Sequence, residues 1–337
     1  MTKLPKPIPV FDLHCDLLSY LAHAPHGSPM NEDDIGAAIP HLQRGNVKLQ
    51  VMAIYTSSTT PNADFGLRQS KIFKNLLSEY SDVLEAPDFA NGVVDVPAGD
   101  KIKIIAAIEN ASGFCGEDDH LDSGFRNLET IINTVGRILY IGITHWSENR
   151  FGGGNDCHTG LKEDGKILLD YLDGRRIAVD FSHSSDELAL DILNYIEKKN
   201  LDIPVIASHS NYREVHHHER NLPKELAREI IRREGLIGMN FLQPFVHDKN
   251  PEALVDHILY GLNLDGERSI AFGADFFYEA MALPSTEFEI FFFDEHCNAS
   301  KFPAILETLS RHLPVEDIQN ISHLNVLRYI QNLWSFD

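Results

Sequence analysis

Six short apolar runs of this chain each end in a side chain that can bind a metal or carry a proton. The endings are Leu13-His14-Cys15-Asp16, Ile108-Glu109, Thr144-His145, Ser182-His183, Ser208-His209 and Ala274-Asp275. His14 and Asp16 are two residues apart, so extended backbone turns both to one face, where an imidazole and a carboxylate make half a zinc shell. Glu109 follows Ile-Ala-Ala-Ile, and a carboxylate beside such a run is costly to bury unless it is paired or metal-bound. Taken singly, His183 or His209 could be a satisfied structural histidine and Asp275 a helix cap. Unrelated structural roles would not, however, place three histidines and three carboxylates at matching ends of separate strands. Nitrogen and oxygen ligands without a thiolate suit a pair of Zn²⁺ ions, and manganese or cobalt fits the same ligand types. Two ions about 3.5 to 4 Å apart need a carboxylate that reaches both, and Glu109 is the natural bridge.

The elements that must position these residues alternate along the chain. Strands are expected at Val10 to Leu13, Val47 to Tyr55, Ile102 to Ile108, Ile138 to Ile143, Ile177 to Phe181, Val205 to Ser208, Leu236 to Phe241 and Ile270 to Gly273. Most are near-continuous apolar runs, as strands buried on both faces are. Helical spacing marks Leu67 to Tyr80, Phe125 to Val135, Lys166 to Leu172, Glu187 to Lys198, Leu226 to Arg233 and Pro251 to Leu262. Ser185 or Asp186 can cap the fourth of these, and Asn221 with Pro223 stand where a cap and a first-turn proline belong. Eight strand-helix units favour a (β/α)8 TIM-type barrel of the α/β class, with active-site residues at the carboxyl ends of its strands. No glycine-rich phosphate fingerprint follows a strand, which argues against a dinucleotide-binding sheet. Residues 1–337 read as a single barrel domain. Pro303 to Trp334 is expected to add C-terminal helices against the outside of the barrel, and Glu117 to Asp122 and Gly152 to Gly154 to form loops.

Fifty acidic against 29 basic residues leave a formal charge of -21 over 337 residues. Such a field repels nucleic acid and anionic membrane surfaces, so neither is an expected partner. The amino terminus carries two lysines among prolines but no apolar signal-peptide region, and a cytoplasmic location is the expectation. Cys15, Cys115, Cys157 and Cys297 form no C-x-x-C pair and read as free thiols.

With these residues in place, the chain resembles the membrane (renal) dipeptidase family of dinuclear zinc peptidases from about Phe11 to the C-terminal helix. The matching pieces are Asp12-Leu-His-Cys-Asp16, Ala107-Ile-Glu109, Gly142-Ile-Thr-His145, Asp180-Phe-Ser-His183-Ser-Ser-Asp186 and Pro204-Val-Ile-Ala-Ser-His209-Ser-Asn211. They continue as His218-Glu-Arg220-Asn221-Leu222, Gly238-Met-Asn240-Phe241 and Gly273-Ala-Asp275-Phe276. The resemblance implies that His14, Asp16 and Glu109 hold one Zn²⁺ while Glu109, His183 and His209 hold the other. A bridging water of lowered pKa would then attack the peptide carbonyl. It further implies that His145 contacts substrate and stabilises the oxyanion, that Asp275 moves the proton from water to leaving amine, and that Arg220 pairs with the free carboxylate of a dipeptide. Dipeptides with a D-residue at the carboxyl end fall within that implied range. A homodimer is the assembly allowed for.

The chain departs from the family where Asp275-Phe276-Phe277-Tyr278 replaces the common Asp-Phe-Asp-Gly. In addition, Glu287 to Phe293 is unusually aromatic, and Leu242 stands where some relatives carry a tyrosine. The triplet His216, His217 and His218 matches no ligand of the family and reads as loop. One alternative is another dinuclear amidohydrolase acting on a cyclic amide, although such enzymes present H-x-H on the first strand and often bridge with a modified lysine. A second is a catalytically silent metal-binding barrel, which loss of a ligand would favour, and no ligand is lost.

Overall fold

The computed structural model describes residues 7–58, 63–88, 99–281 and 291–335. The apolar runs become β1 (Val10–Asp12), β2 (Val47–Tyr55), β3 (Leu84–Glu85), β4 (Ile102–Glu109), β5 (Ile138–Gly142), β6 (Ala178–Asp180), β7 (Val205–Ile206), β8 (Ile237–Met239) and β9 (Ile270–Phe272). They form one parallel sheet in the order β7-β6-β5-β4-β2-β1-β9-β8, with β3 paired to β4 off this path. A parallel bridge between Ala207 and Ile237, with Ala207 N donating to Leu236 O at 2.8 Å and Gly238 N to Ala207 O at 2.8 Å, joins the two ends. The sheet is therefore a nearly closed eight-stranded barrel of the TIM type.

Helices cover it. They are α1 (Leu17–His23), α2 (Ile39–Arg44), α3 (Ala63–Glu79), α4 (Leu121–Val135), α5 (Glu163–Leu172) and α6 (Asp186–Lys199). After them come α7 (Lys224–Arg232), α8 (Gln243–Val246), α9 (Ala253–Leu262), α10 (Phe302–Leu309), α11 (Val315–Gln319) and α12 (Asn325–Trp334). The start of α6 is fixed as expected, because Ser185 Oγ accepts from Leu188 N at 3.0 Å. At α7 the expectation needs correction: Pro223 occupies the cap position. Asn221 instead donates to His216 O and Phe245 O, both at 2.9 Å, tying two loops together. The loop expected at Glu117 to Asp122 gives way to α4 at Leu121.

Alternation along most strands separates two cores. Phe11, Leu13, Leu49, Val51, Ile105, Ala107, Leu139, Ala178, Ile206, Leu236 and Ala271 fill the barrel interior. Their neighbours Ile54, Ile104, Ala106, Val179, Val205, Met239 and Phe272 meet the helices outside. A one-residue slip would exchange the two sets, so burial on both faces fixes the register. The same period of two carries the inner face onward to Glu109, Asp180, Ser208, Asn240 and Asp275, which thus stand at the carboxyl-end mouth.

Helix α12 corrects the expectation that the tail lies outside. Val326, Ile330, Leu333 and Trp334 join the interior cluster. Trp334 Nε1 donates to Arg176 O at 3.0 Å, and Asn325 Nδ2 donates to Ile270 O at 2.8 Å. Both partners lie at the amino-terminal ends of strands, so α12 closes the bottom of the barrel. Strands β7 and β8 are also shorter than their apolar runs, because side chains replace the ladder. Ser208 N donates to Asp180 Oδ1 at 2.7 Å, and Asn240 N to Asn211 Oδ1 at 3.0 Å. Among the described residues no helix is long and apolar enough to cross a membrane.

Candidate metal centre

Backbone pairing holds the H-x-D segment beyond the end of β1. Cys15 N donates to Val51 O at 3.1 Å, Ala53 N to Cys15 O at 2.9 Å, and Asp16 N to Phe276 O at 2.9 Å. His14 and Asp16 are thus clamped between β2 and the segment after β9. Asp275 sits in the left-handed region at φ 64°, a conformation that aspartate tolerates better than most residues. Its N–H donates to His14 O at 3.2 Å, and Asn240 Nδ2 donates to its Oδ2 at 2.8 Å. Gly273 permits the approach of β9 to His209, since a Cβ there would lie 1.9 Å from Ser208 O.

All eight sequence-predicted site residues gather at this mouth. Glu109 is the centre of the cluster. Its Oε1 lies 2.8 Å from His183 Nε2, 3.4 Å from His209 Nε2 and 3.8 Å from His145 Nε2. Its Oε2 lies 3.4 Å from His14 Nε2. Asp16 Oδ2 and Asp275 Oδ1 lie 3.8 and 3.6 Å from the same His14 nitrogen. The His14 and His209 rings stack at 3.7 Å, and the His145 and His183 rings meet tilted at 4.1 Å. His14 Nε2, Asp16 Oδ1 and Glu109 Oε2 are buried without a hydrogen-bond partner. Buried polar atoms are rarely left so, and several converging on one point call for a cation to satisfy them. Ligand atoms of His14, Asp16 and Glu109 lie within 4.8 Å of one another, as do those of Glu109, His183 and His209, and those of His14, His209 and Asp275. The donor set therefore fits a metal on either side of Glu109.

Electrostatics agree with that fit. Burial, helped by Asp16 and Asp275, pushes Glu109 up to about 8 against the opposing His14. Burial also raises Asp275 to about 6, with His14 opposing. On His14 burial works downward, but the Tyr140 oxygen and the Glu109 and Asp16 carboxylates outweigh it and hold the imidazole well above its usual range. His183 and His209 are pushed well down by burial, with Arg220 and neighbouring histidines adding to it. Burial, then Arg220 and His14, lower His145 to about 3. Such opposed shifts in one mouth are characteristic of a working site.

Arg220 is 2% exposed. Its guanidinium donates to Ser210 Oγ at 2.8 Å and His209 O at 3.0 Å, lies over the Phe245 ring, and leaves Nε unpaired. The histidine triplet is loop as expected, with one addition: His218 Nδ1 accepts from Arg220 N at 3.0 Å and braces that turn. Gly152 to Gly154 backs His145, for a Cβ on Gly154 would lie 2.3 Å from both His145 O and Trp146 O. Two side chains at the mouth escaped the sequence reading. Asn240, which stood in the sequence only within a piece matching the family, anchors Asp275. Tyr55 lies edge-on to His145 at 4.9 Å, and its hydroxyl feels the Glu109 and Asp16 carboxylates. In the departing segment, Phe277 packs on Phe291 and Phe292, and Tyr278 on Tyr20. Residues 287–290 of the aromatic stretch lie outside the described residues.

The family model described as membrane dipeptidase, peptidase family M19, matches residues 1–334. A curated relative, the dipeptidase aclJ of Aspergillus oryzae, is 22% identical over 351 residues, covering 96% of this chain and 78% of its own. Among solved structures, a dipeptidase described as a metallopeptidase of family M19 superposes with a TM-score of 0.82 at 19% identity, covering 98% of this chain and all of its own. A metallopeptidase from Rhodobacter sphaeroides, solved with a phosphinate mimic of the dipeptide L-Ala-D-Ala, gives 0.80 at 19% identity over 98% of this chain and 100% of its own.

Proposed function

The chain belongs to the membrane dipeptidase family, peptidase family M19, and from that premise we propose that it is a dinuclear zinc dipeptidase. It would cleave dipeptides with a free C-terminal carboxylate. The observation that carries this reading is the ring of ligand atoms around Glu109, with partnerless buried atoms on His14, Asp16 and Glu109. His14, Asp16 and Glu109 would hold one Zn²⁺, and Glu109, His183 and His209 the other, two per chain. Manganese or cobalt suits the same donors. When bound, the ions supply an acidified water and a polarised carbonyl.

The chain's own residues do the remaining work. Asp275, held by Asn240 and raised to about 6, accepts a proton near neutrality and returns it to the leaving amine. His145, neutral and the most exposed of the four site imidazoles, offers an N–H to the developing oxyanion. Arg220 presents a desolvated guanidinium whose free donor suits the terminal carboxylate, where lysine could not reproduce the planar contact. The local cation overrides the chain's net negative charge, since charges beyond about 8 Å are screened at physiological salt. The L-Ala-D-Ala mimic in the similar Rhodobacter enzyme supports extending the substrates to a D-residue at the carboxyl end.

The test is to titrate Zn²⁺ into chelator-treated protein while assaying L,L and L,D dipeptides beside dihydroorotate-like cyclic amides. Zinc-dependent dipeptide cleavage is the expected result. Activity confined to cyclic amides overturns the assignment.

A further inference from the structure

Beneath the ligands lies a buried layer of hydroxyls and one carboxylate that no step above uses. Tyr140, on β5, reaches across the barrel to β1. Its hydroxyl lies 2.7 Å from His14 Nδ1 and donates to Leu13 O at 3.0 Å. A phenol has one proton. With that proton on Leu13 O, only a lone pair faces His14, so Nδ1 keeps a proton and Nε2 is the nitrogen turned into the site.

Ser208 repeats the arrangement under His209. Its Oγ lies 2.6 Å from His209 Nδ1 and donates to Asp180 Oδ2 at 2.5 Å. The other Asp180 oxygen accepts from Ser182 N, Ser182 Oγ and Ser208 N at 3.2, 2.9 and 2.7 Å. Asp180 accepts from all four of these donors, so the single Ser208 proton goes to Asp180 and the lone pair receives His209 Nδ1–H. Tyr140 and Ser208 are fully buried, and Asp180 nearly so. His183 differs, because its Nδ1 has no partner.

We propose that Tyr140 on one side and the Ser208–Asp180 pair on the other are positioning residues that lock His14 and His209 as Nδ1–H tautomers. Each half of the metal centre then owns one histidine whose Nε2 is the nitrogen presented to the ion. The proposal rests on the metal-site reading above.

Asp180→Asn tests it with almost no change of volume. The two backbone N–H donors hold the amide oxygen on their side, so the amide nitrogen faces Ser208 and forces that hydroxyl to accept. The Ser208 proton must then turn onto His209 Nδ1 and move the imidazole proton to Nε2, where it blocks the ligand. Zn²⁺ affinity, read by competition with a fluorescent chelator, should fall about 100-fold in Asp180→Asn but only about 10-fold in Ser208→Ala, the range for lost ligand-orienting contacts. Adding Ser208→Ala to Asp180→Asn should restore affinity to the Ser208→Ala level, because the hydroxyl carrying the misplaced proton is gone. A double variant no better than Asp180→Asn, or Asp180→Asn binding Zn²⁺ like the wild type, overturns the inference. Should Asp180→Asn fail to fold, Tyr140→Phe and Ser208→Ala carry the test. Each should lose about 10-fold in affinity, and unchanged affinity in both overturns the inference. A wild type that binds no zinc overturns the metal reading instead.

Discussion

Replacing Glu109 by Gln should make the metal-free protein more stable and the metal-loaded protein less so. The substitution conserves volume and removes one charge from a residue 3% exposed. Burial raises the Glu109 carboxyl from 4.5 to about 8. Between those values the folded metal-free protein keeps a proton that the unfolded chain has released, so its stability falls as pH rises from about 4.5 to about 8. The full difference corresponds to roughly 5 kcal/mol. His14, 3.4 Å away, shares the charge, so roughly 2 kcal/mol is the net gain expected from glutamine at pH 8. Urea melts of chelator-treated proteins should show a gap near zero at pH 5 that opens toward pH 8. With zinc at a thousand times its Kd the wild type gains about 4 kcal/mol by mass action, the variant does not, and the order reverses. A metal-free variant no more stable than wild type at pH 8, or one with an equal response to zinc, refutes the reasoning.

Three further outcomes follow from the same geometry. Asp275→Asn should keep zinc affinity but lower kcat by about 10² to 10⁴, the usual contribution of a positioned proton carrier; release of the ions on chelator titration would make Asp275 a ligand instead. Arg220→Ala should raise KM for dipeptides by about 100-fold, the scale of losing a charge-assisted bidentate contact, and leave dipeptide amides nearly unaffected; Arg220→Lys should recover little. Trp334→Ala, at the far end of the barrel, should cost about 3 to 5 kcal/mol in urea melts without changing zinc affinity, and a loss of metal binding would show that α12 shapes the mouth.

Much of the barrel was legible because strands buried on both faces leave long apolar runs, and the residue ending each run announces itself. Glu109 after Ile-Ala-Ala-Ile and His14-Cys15-Asp16 are the clearest cases, and both stand at the mouth. Other features were hidden. Tyr140 lies inside an apolar strand and looks like core, since spacing along one strand cannot say what a side chain reaches across the barrel. Ser208 and Asp180 read as strand ends, yet their bonds replace the ladder and shorten β7. An amphipathic pattern says that α12 buries a face but not which surface receives it, and the barrel floor is as apolar as its flank. Asn221 looked like a cap because its type suits caps, whereas its amide is committed to two loop carbonyls.

The most direct test of the central claim is anomalous X-ray scattering at the zinc edge from crystals grown with zinc. Two peaks flanking Glu109 are expected, one within about 2 Å of His14 and the other within about 2 Å of His183 and His209, the usual zinc to imidazole distance. No peak at the barrel mouth, or an ion held there without Glu109, would contradict it.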